Sequence, residues 1–142
     1  MEALSKLILR ALEDLLDWFG RDVRAVLVVP EERLVLIVMD DVEEISVTAR
    51  TEIWRKIYDG LRGTEEFKEV AQSEPPIIIG VILSGEELEY HSPRVMQWVL
   101  KGEVLLDPDN ILNKEREAAK TVKVNGEILE LAQVKEGEVF DL

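Results

Sequence analysis

Apolar residues at the start of the chain recur with the spacing of an amphipathic helix. Between residues 2 and 19 they are Leu4, Leu7, Ile8, Ala11, Leu12, Leu15, Leu16 and Phe19. Intervals of three and four residues place them on one face of a helix. Gly20 comes next, and glycine is favoured just beyond a helix end. The pattern therefore predicts a helix over residues 2–19 with one buried face.

Two nearly continuous apolar runs follow, residues 23–29 and 34–39, joined by Pro30-Glu31-Glu32-Arg33. Such runs are typical of strands covered on both faces, and the short connection predicts a hairpin. A third run, IIIGVIL at residues 77–83, is the strongest candidate for a buried strand. We expect the centre of the sheet to contain Val26, Val28, Leu36, Val38, Ile78 and Val81.

Capping residues place the next two helices. Ser46 or Thr48 is suited to cap a helix that ends near Gly60. A short helical turn over residues 64–71 follows, with acids near its positive end. The buried stripe of the longer helix is expected to be Ile53, Trp54, Ile57, Tyr58 and Leu61.

The second half of the chain carries two more helix starts. Ser84 and Glu87 have the spacing of a capping box. Ser92 precedes Pro93, and serine as cap with proline at the first position is a typical helix start. Gly102 is placed to end that helix.

Shorter elements complete the chain. Residues 103–106 read as a short strand, and a turn with Asp109 as a cap leads into a mostly exposed helix over residues 110–120. Asn125-Gly126, between alternating residues at 121–131, is the strongest local signal for a two-residue hairpin turn. We predict a type I′ turn there.

The order of elements defines the fold class as α/β (α+β), with a mixed β-sheet, helices packed on it and a C-terminal β-hairpin. We expect a single domain over residues 1–134. Residues 135–142 are acidic and are expected to be a loosely held tail.

Composition limits the class of protein further. The chain has 142 residues, 46% of them hydrophobic, which suffices for one domain with its own core. It has no cysteine, so disulfides and thiolate metal sites are excluded. No apolar run approaches the ~18 residues that span a bilayer, and no signal peptide is recognisable. We expect a cytoplasmic protein without a membrane partner.

The formal net charge is -13, from 30 acidic and 17 basic residues. Such a charge repels phosphate backbones, so nucleic acid is not the expected partner. A protein with a basic or apolar face fits better. The abundance of Val, Ile, Leu, Glu, Lys and Arg is typical of thermophiles.

Two segments carry a resemblance to a known family. They are the helix and strand-turn-strand of residues 2–39, and residues 92–108, a helix followed by glycine and a short strand ending in aspartate. Together they resemble the minimal nucleotidyltransferase fold, the small DNA polymerase beta-like domain common in archaea and bacteria. The resemblance covers roughly residues 2–110.

The family's catalytic motifs have no counterpart here. It uses a Gly-Ser pair after the first strand, which binds phosphate. An Asp-x-Asp on the second strand and a later carboxylate hold two Mg²⁺ ions. Pro30-Glu31 stands in place of Gly-Ser, and Glu32-Arg33-Leu34 offers at most one acid. The resemblance therefore implies a degenerate member with no catalytic residues and no cofactor. Replacing Glu31 and Glu32 by alanine is expected to be nearly neutral.

The densest acidic cluster is the other candidate for chemistry. Asp40 and Asp41, followed by Glu43 and Glu44, are weak candidates for a hard metal ion. The alternative is a solvated strand exit before a helix, where acids are favoured. His91 is the only histidine, so a histidine metal cluster is impossible.

Two features are candidates for protein interaction. Trp18 lies beside Phe19 at the edge of the helical stripe and is either exposed at an interface or packed in the core. Val139, Phe140 and Leu142 in the acidic tail form either a short docking motif or a packed terminus.

Three functions fit these observations. The first is a non-catalytic interaction or scaffold module on a degenerate nucleotidyltransferase-like fold. The second is a metal-dependent nucleotidyltransferase, of the kind that acts as antitoxin to a small helical toxin, and only fold analogy supports it. The third is an acidic mimic of nucleic acid. Metal-dependent nucleotide binding separates the second from the others.

Overall fold

A computed structural model describes residues 2–122, which form six helices and four strands. The elements are α1 (Glu2–Phe19), β1 (Val23–Val29), β2 (Leu34–Met39), α2 (Val47–Gly60), α3 (Glu65–Ala71), β3 (Ile79–Leu83), α4 (Gly85–Leu88), α5 (Pro93–Lys101), β4 (Glu103–Leu106) and α6 (Ile111–Val122). Pro30–Glu32 forms a single 3-10 turn between β1 and β2. The predicted first helix is confirmed at both ends.

The four strands form one mixed sheet in the order β3-β2-β1-β4. β1 is antiparallel to both β2 and β4, whereas β2 and β3 are parallel. The predicted class, a mixed sheet with helices packed on it, is confirmed.

Helices cover both faces of the sheet. The first face packs against α1, α2 and α3, through side chains such as Leu7, Leu15 and Trp54. The second face packs against α4, α5 and α6, through Leu88, Trp98, Val99 and Leu112. Every residue of β2 is buried, because this strand has a neighbour on each side and helices on both faces. That arrangement explains its unbroken apolar run.

The third apolar run is not a central strand, so that prediction is wrong. β3 lies at the edge of the sheet, and its residues are mostly part-exposed. Ile77 and Ile79 are about half-exposed, although Ile78 is buried as expected. A run of apolar residues indicates strand formation, but whether a second neighbour pairs with that strand depends on the whole topology.

Local signals predicted most helix starts correctly. Ser46, Thr64, Ser84 and Ser92 each accept a hydrogen bond from an amide of the following turn, and Ser84 and Glu87 form the full capping box. The exception is α6, which is capped by Asp107 rather than Asp109.

Asp107 accepts hydrogen bonds from the amides of Ile111, Leu112 and Asn113 at 2.8–3.1 Å. The α6 helix has a buried face that includes Leu112 and Ala119, and it extends through Val122. The two residues predicted to open the first strand of the C-terminal hairpin, at 121 and 122, are therefore helical. The predicted Asn125-Gly126 turn lies outside the described residues, as does the 135–142 tail.

Gly80 lets α2 approach β3 closely. A Cβ at this position would lie inside the van der Waals radius of the Trp54 ring. Trp54 is buried, and its indole N–H donates to the carbonyl of Ile78 at 3.0 Å. The absence of a side chain at Gly80 is therefore what allows this tryptophan to pack flat against the strand.

Replacing Gly80 by alanine should destabilise the protein by about 1–3 kcal/mol, because the new methyl group overpacks the Trp54 contact. Gly60 is the matched control, since nothing lies within 4 Å of a Cβ there. Gly60→Ala should be neutral or stabilising by up to about 1 kcal/mol. Urea unfolding measures both changes. Equal stability of the two variants would contradict the close packing.

Candidate functional site

The hairpin turn is held by α5. Glu32 accepts a hydrogen bond from the indole N–H of Trp98 at 3.1 Å and from Lys101 at 2.5 Å. The hydrogen bond from Lys101 is the main reason that the pKa of Glu32 lies below its ordinary value. Glu32 therefore holds the turn against α5, and we now expect its replacement to cost more stability than that of Glu31. The sequence pattern did not reveal the contact because the partners lie 66 and 69 residues away.

Arg33 holds the turn from the other side. It adopts a left-handed conformation with φ of 54°. Its guanidinium donates to the carbonyl of Pro75 at 2.7 Å and pairs with Glu74. The Pro30–Glu32 turn is thus fastened both to α5 and to the segment that precedes β3.

The acidic candidates lie at the opposite end of the hairpin. Arg24 bridges Asp40 at 3.3 Å and Asp109 at 2.6 Å. Hydrogen bonds from Arg24 to these carboxylates, the one to Asp109 first, raise the pKa of Arg24. Asp41 has φ of 62°, a left-handed conformation at the strand exit. Across residues 2–122, no group of three or more histidine and acidic side chains is placed to hold a metal ion.

Of the three tryptophans, one is exposed and two are buried. Trp18 is 57% exposed, with its ring edge against Phe19. Trp54 and Trp98 are buried and donate to Ile78 and Glu32 respectively. Val139, Phe140 and Leu142, the other interaction candidates, lie outside the described residues.

His91 joins the α4–α5 connection to α6. Its Nε2 lies 3.0 Å from the Glu115 carboxylate, which is nearly buried. This contact fixes α6 against the second face of the sheet.

Several exposed apolar side chains lie on or beside β3. Eight large apolar side chains of the described residues are exposed, and four of them lie on or beside this strand. Val47 is 77% exposed and Tyr90 is 71% exposed, while Ile77 and Ile79 are about half-exposed. We call these four residues, together with the free side of β3, the β3 edge surface.

A groove of about 480 Å³ runs through this surface. The start of α2 forms one wall, and the segment from α4 to α5 forms the other. The groove is lined by Val47, Arg50, Thr51, Gly80, Val81, Ile82, Leu83, Glu87, Tyr90, Ser92 and Val95.

Backbone groups on β3 alternate between its neighbour and the free side. Ile79 pairs with Leu34 in parallel register, and its amide donates to the carbonyl of Arg33 at 2.8 Å. In a parallel ladder the odd-numbered residues of β3 therefore bond to β2, and the even-numbered ones face outward. Gly80 and Ile82 are the outward residues within the strand.

Two side chains of α2 occupy part of that free side. Trp54 donates to the carbonyl of Ile78, and Arg50 donates to the carbonyl of Ile82 at 3.1 Å. No side chain in residues 2–122 bonds to the backbone of Gly80. The N–H and C=O of Gly80 and the N–H of Ile82 therefore face away from β2 and have no hydrogen-bond partner among residues 2–122.

Arg50 is buried and joins three segments. It donates to the carbonyls of Ile45 at 3.0 Å and of Val42, besides that of Ile82. Both oxygens of Glu87 accept from it, at 2.6 and 3.0 Å. Bonds from Arg50, supported by the Ser84 amide, hold the pKa of Glu87 below its ordinary value in spite of burial. A buried arginine was not anticipated, although it lies four residues before Trp54 on the same helical face.

Comparisons with models of protein families, with curated proteins and with solved structures found no match for this chain. Among residues 2–122, no helix combines the length and the apolar character needed to cross a membrane.

Removing the Arg50 guanidinium should lower the stability of the protein. Arg50→Met leaves the Glu87 carboxylate and three backbone carbonyls without their donor, so we expect a loss of about 3 kcal/mol in unfolding free energy. Arg55 is the matched control, since it is exposed on the same helix, where it pairs with Glu52. Arg55→Met should change stability by less than about 0.5 kcal/mol. Similar losses in the two variants would contradict the role given to Arg50.

The contact between Arg50 and Glu87 also contributes to the loss of protein stability at low pH. Because the folded-state pKa of Glu87 is lowered, its contribution is fully present above the ordinary value of 4.5 and is lost as pH falls through the folded-state pKa. Arg50→Met should flatten this acid-side loss of stability in a pH series of urea unfolding curves. An unchanged pH dependence would argue against the Glu87 contact.

Glu31 and Glu32 should respond differently to alanine. Glu32→Ala leaves the indole N–H of Trp98 without its carboxylate acceptor. We therefore expect the free energy of unfolding to fall by about 1 kcal/mol. The free energy of unfolding of Glu31→Ala should lie within about 0.5 kcal/mol of that of the parent protein. Thermal unfolding of both variants at neutral pH checks this difference, and it is refuted if Glu32→Ala unfolds like Glu31→Ala.

Proposed function

We propose that this chain is a non-catalytic protein-interaction module built on a nucleotidyltransferase-like arrangement, and that it binds its partner through the β3 edge surface. The observation that carries the proposal is the concentration of exposed apolar side chains along an open strand edge. Single exposed apolar residues are normal, but contiguous ones mark interaction sites.

The composition of β3 supports this proposal. Natural edge strands are usually protected from pairing by charged residues, proline or a bulge. The sequence of β3, IGVIL, contains no charge and no proline, and its register with β2 is regular over all five residues. A strand that presents such an edge to solvent is suited to contact another protein.

The charge of the surroundings favours a basic or apolar partner. Glu43 and Glu44 precede α2, and Glu86 and Glu89 lie on or beside α4. All four are exposed, and none makes an ion pair within the described part of the chain. Acids at the rim of an apolar surface attract a cationic partner and repel other acidic proteins.

The contacts of the hairpin turn support a non-catalytic role. In the nucleotidyltransferase family this region would bind metal and phosphate, whereas Glu32 here receives hydrogen bonds from Trp98 and Lys101. A carboxylate engaged in this way is occupied by structural donors. The neighbouring Pro30 has no N–H to offer a phosphate.

Affinity capture from extracts of the source cells tests the proposal. The parent protein should retain a specific partner that is lost with the Val47→Ser/Tyr90→Ser double variant. Leu105→Ser, on the exposed side of the opposite edge strand β4, is the matched control and should retain it. Circular dichroism and melting curves confirm that all three proteins are folded.

Two results would contradict the proposal. One is a partner held equally by the parent and the double variant. The other is Mg²⁺-dependent binding of a nucleoside triphosphate in calorimetry, abolished by Glu32→Gln, since that would place catalysis at the hairpin turn.

A further inference from the structure

We infer that the β3 edge surface takes an extended, cationic segment of its partner as a fifth strand of the sheet. This inference rests on the proposed function and specifies the form of the partner at that surface. It follows from three observations: open backbone groups at Gly80 and Ile82, apolar side chains on both sides of the strand, and an acidic rim.

The backbone groups select an extended segment over a helix or a folded surface. Gly80 presents both a donor and an acceptor on the free edge, and Ile82 presents a donor. A partner that contacted only side chains would remove these groups from water without giving them hydrogen bonds, which is unfavourable. An added strand supplies partners for all of them, as in other cases of strand addition.

The side chains of α2 define where the added strand pairs. Trp54 and Arg50 already donate to the carbonyls of Ile78 and Ile82. The fully open position lies between them, at Gly80. The added strand therefore pairs at Gly80, while Trp54 and Arg50 keep the carbonyls of Ile78 and Ile82 on either side of it.

The apolar side chains lie on both faces of the position that the added strand would take. Tyr90 and Val95 line the groove from the α4–α5 side, and Val47 and Thr51 line it from the α2 side. Because side chains alternate between the two faces of a strand, each face of the incoming segment meets an apolar wall.

The negative charge beside the groove favours a segment of another protein over a second copy of this chain as the occupant. A second copy would bring its own Glu43, Glu44, Glu86 and Glu89 to the rim of the same groove. The net charge of -13 on each chain adds to this repulsion. A segment that carries lysine or arginine among apolar residues instead meets opposite charge.

The test uses the full-length protein and a defined probe, an acetylated and amidated hexapeptide with four central valines between two terminal lysines and a fluorescent label. Anisotropy should show saturable binding. In ¹H–¹⁵N spectra the largest shifts should fall on the amides of Gly80 and Ile82. The same peptide with glutamate in place of both lysines should bind at least about tenfold more weakly, because its charge is repelled.

Further controls separate strand pairing from general attraction to an acidic protein. N-methylation of alternate residues of the probe removes donors and should weaken binding at least about tenfold. Val47→Ser/Tyr90→Ser should weaken the valine–lysine peptide similarly, while Leu105→Ser should leave it unchanged. Gly80 is not substituted, because a side chain there would displace Trp54.

Four results would overturn strand addition: no saturable binding, equal binding of the N-methylated peptide, shifts spread over the surface without Gly80 and Ile82, or shifts of these two amides with protein concentration alone. The last would identify a second copy as the occupant. If the cellular partner depends on Val47 and Tyr90 but leaves the two amides unchanged, the interaction function stands and strand addition fails.

Discussion

Arg50 joins three separate segments of the described chain. Its guanidinium links the loop after β2, through Val42 and Ile45, to β3, through Ile82, and to α4, through Glu87. A buried guanidinium is stable only when its donors are satisfied, so these segments must meet in one geometry. Arg50 therefore links the groove beside β3 to the loop after β2 and to α4, while pairing with β2 holds the strand itself.

Arg50 also determines which outward backbone groups of β3 are already hydrogen-bonded. Arg50 and Trp54, one turn apart on α2, satisfy two outward carbonyls of the β3 segment. Between them Gly80 leaves room for the Trp54 ring. β2 pairs with one side of the strand, whereas Arg50 and Trp54 occupy part of its free side and leave the backbone groups of Gly80 between them without a partner among residues 2–122.

Local sequence signals predicted the elements well, since they act over a few residues. Gly20 ends α1, and Ser46, Ser84 and Ser92 cap their helices, as their patterns indicated. The edge position of β3 and the burial of Arg50 were missed. Both depend on contacts between segments more than 30 residues apart, such as Arg50 with Ile82 and Glu87. The candidate site is made of these non-local contacts, so the sequence pattern did not reveal it.

Hydrogen exchange within β3 tests the central claim, that this strand has an open edge at Gly80. We expect the amides of Val81 and Leu83, which bond to β2, to be strongly protected. The amides of Gly80 and Ile82 should exchange faster by orders of magnitude in dilute protein, because they face the free side. Equal protection of all four amides would contradict the account, since it would mean that the edge is already covered.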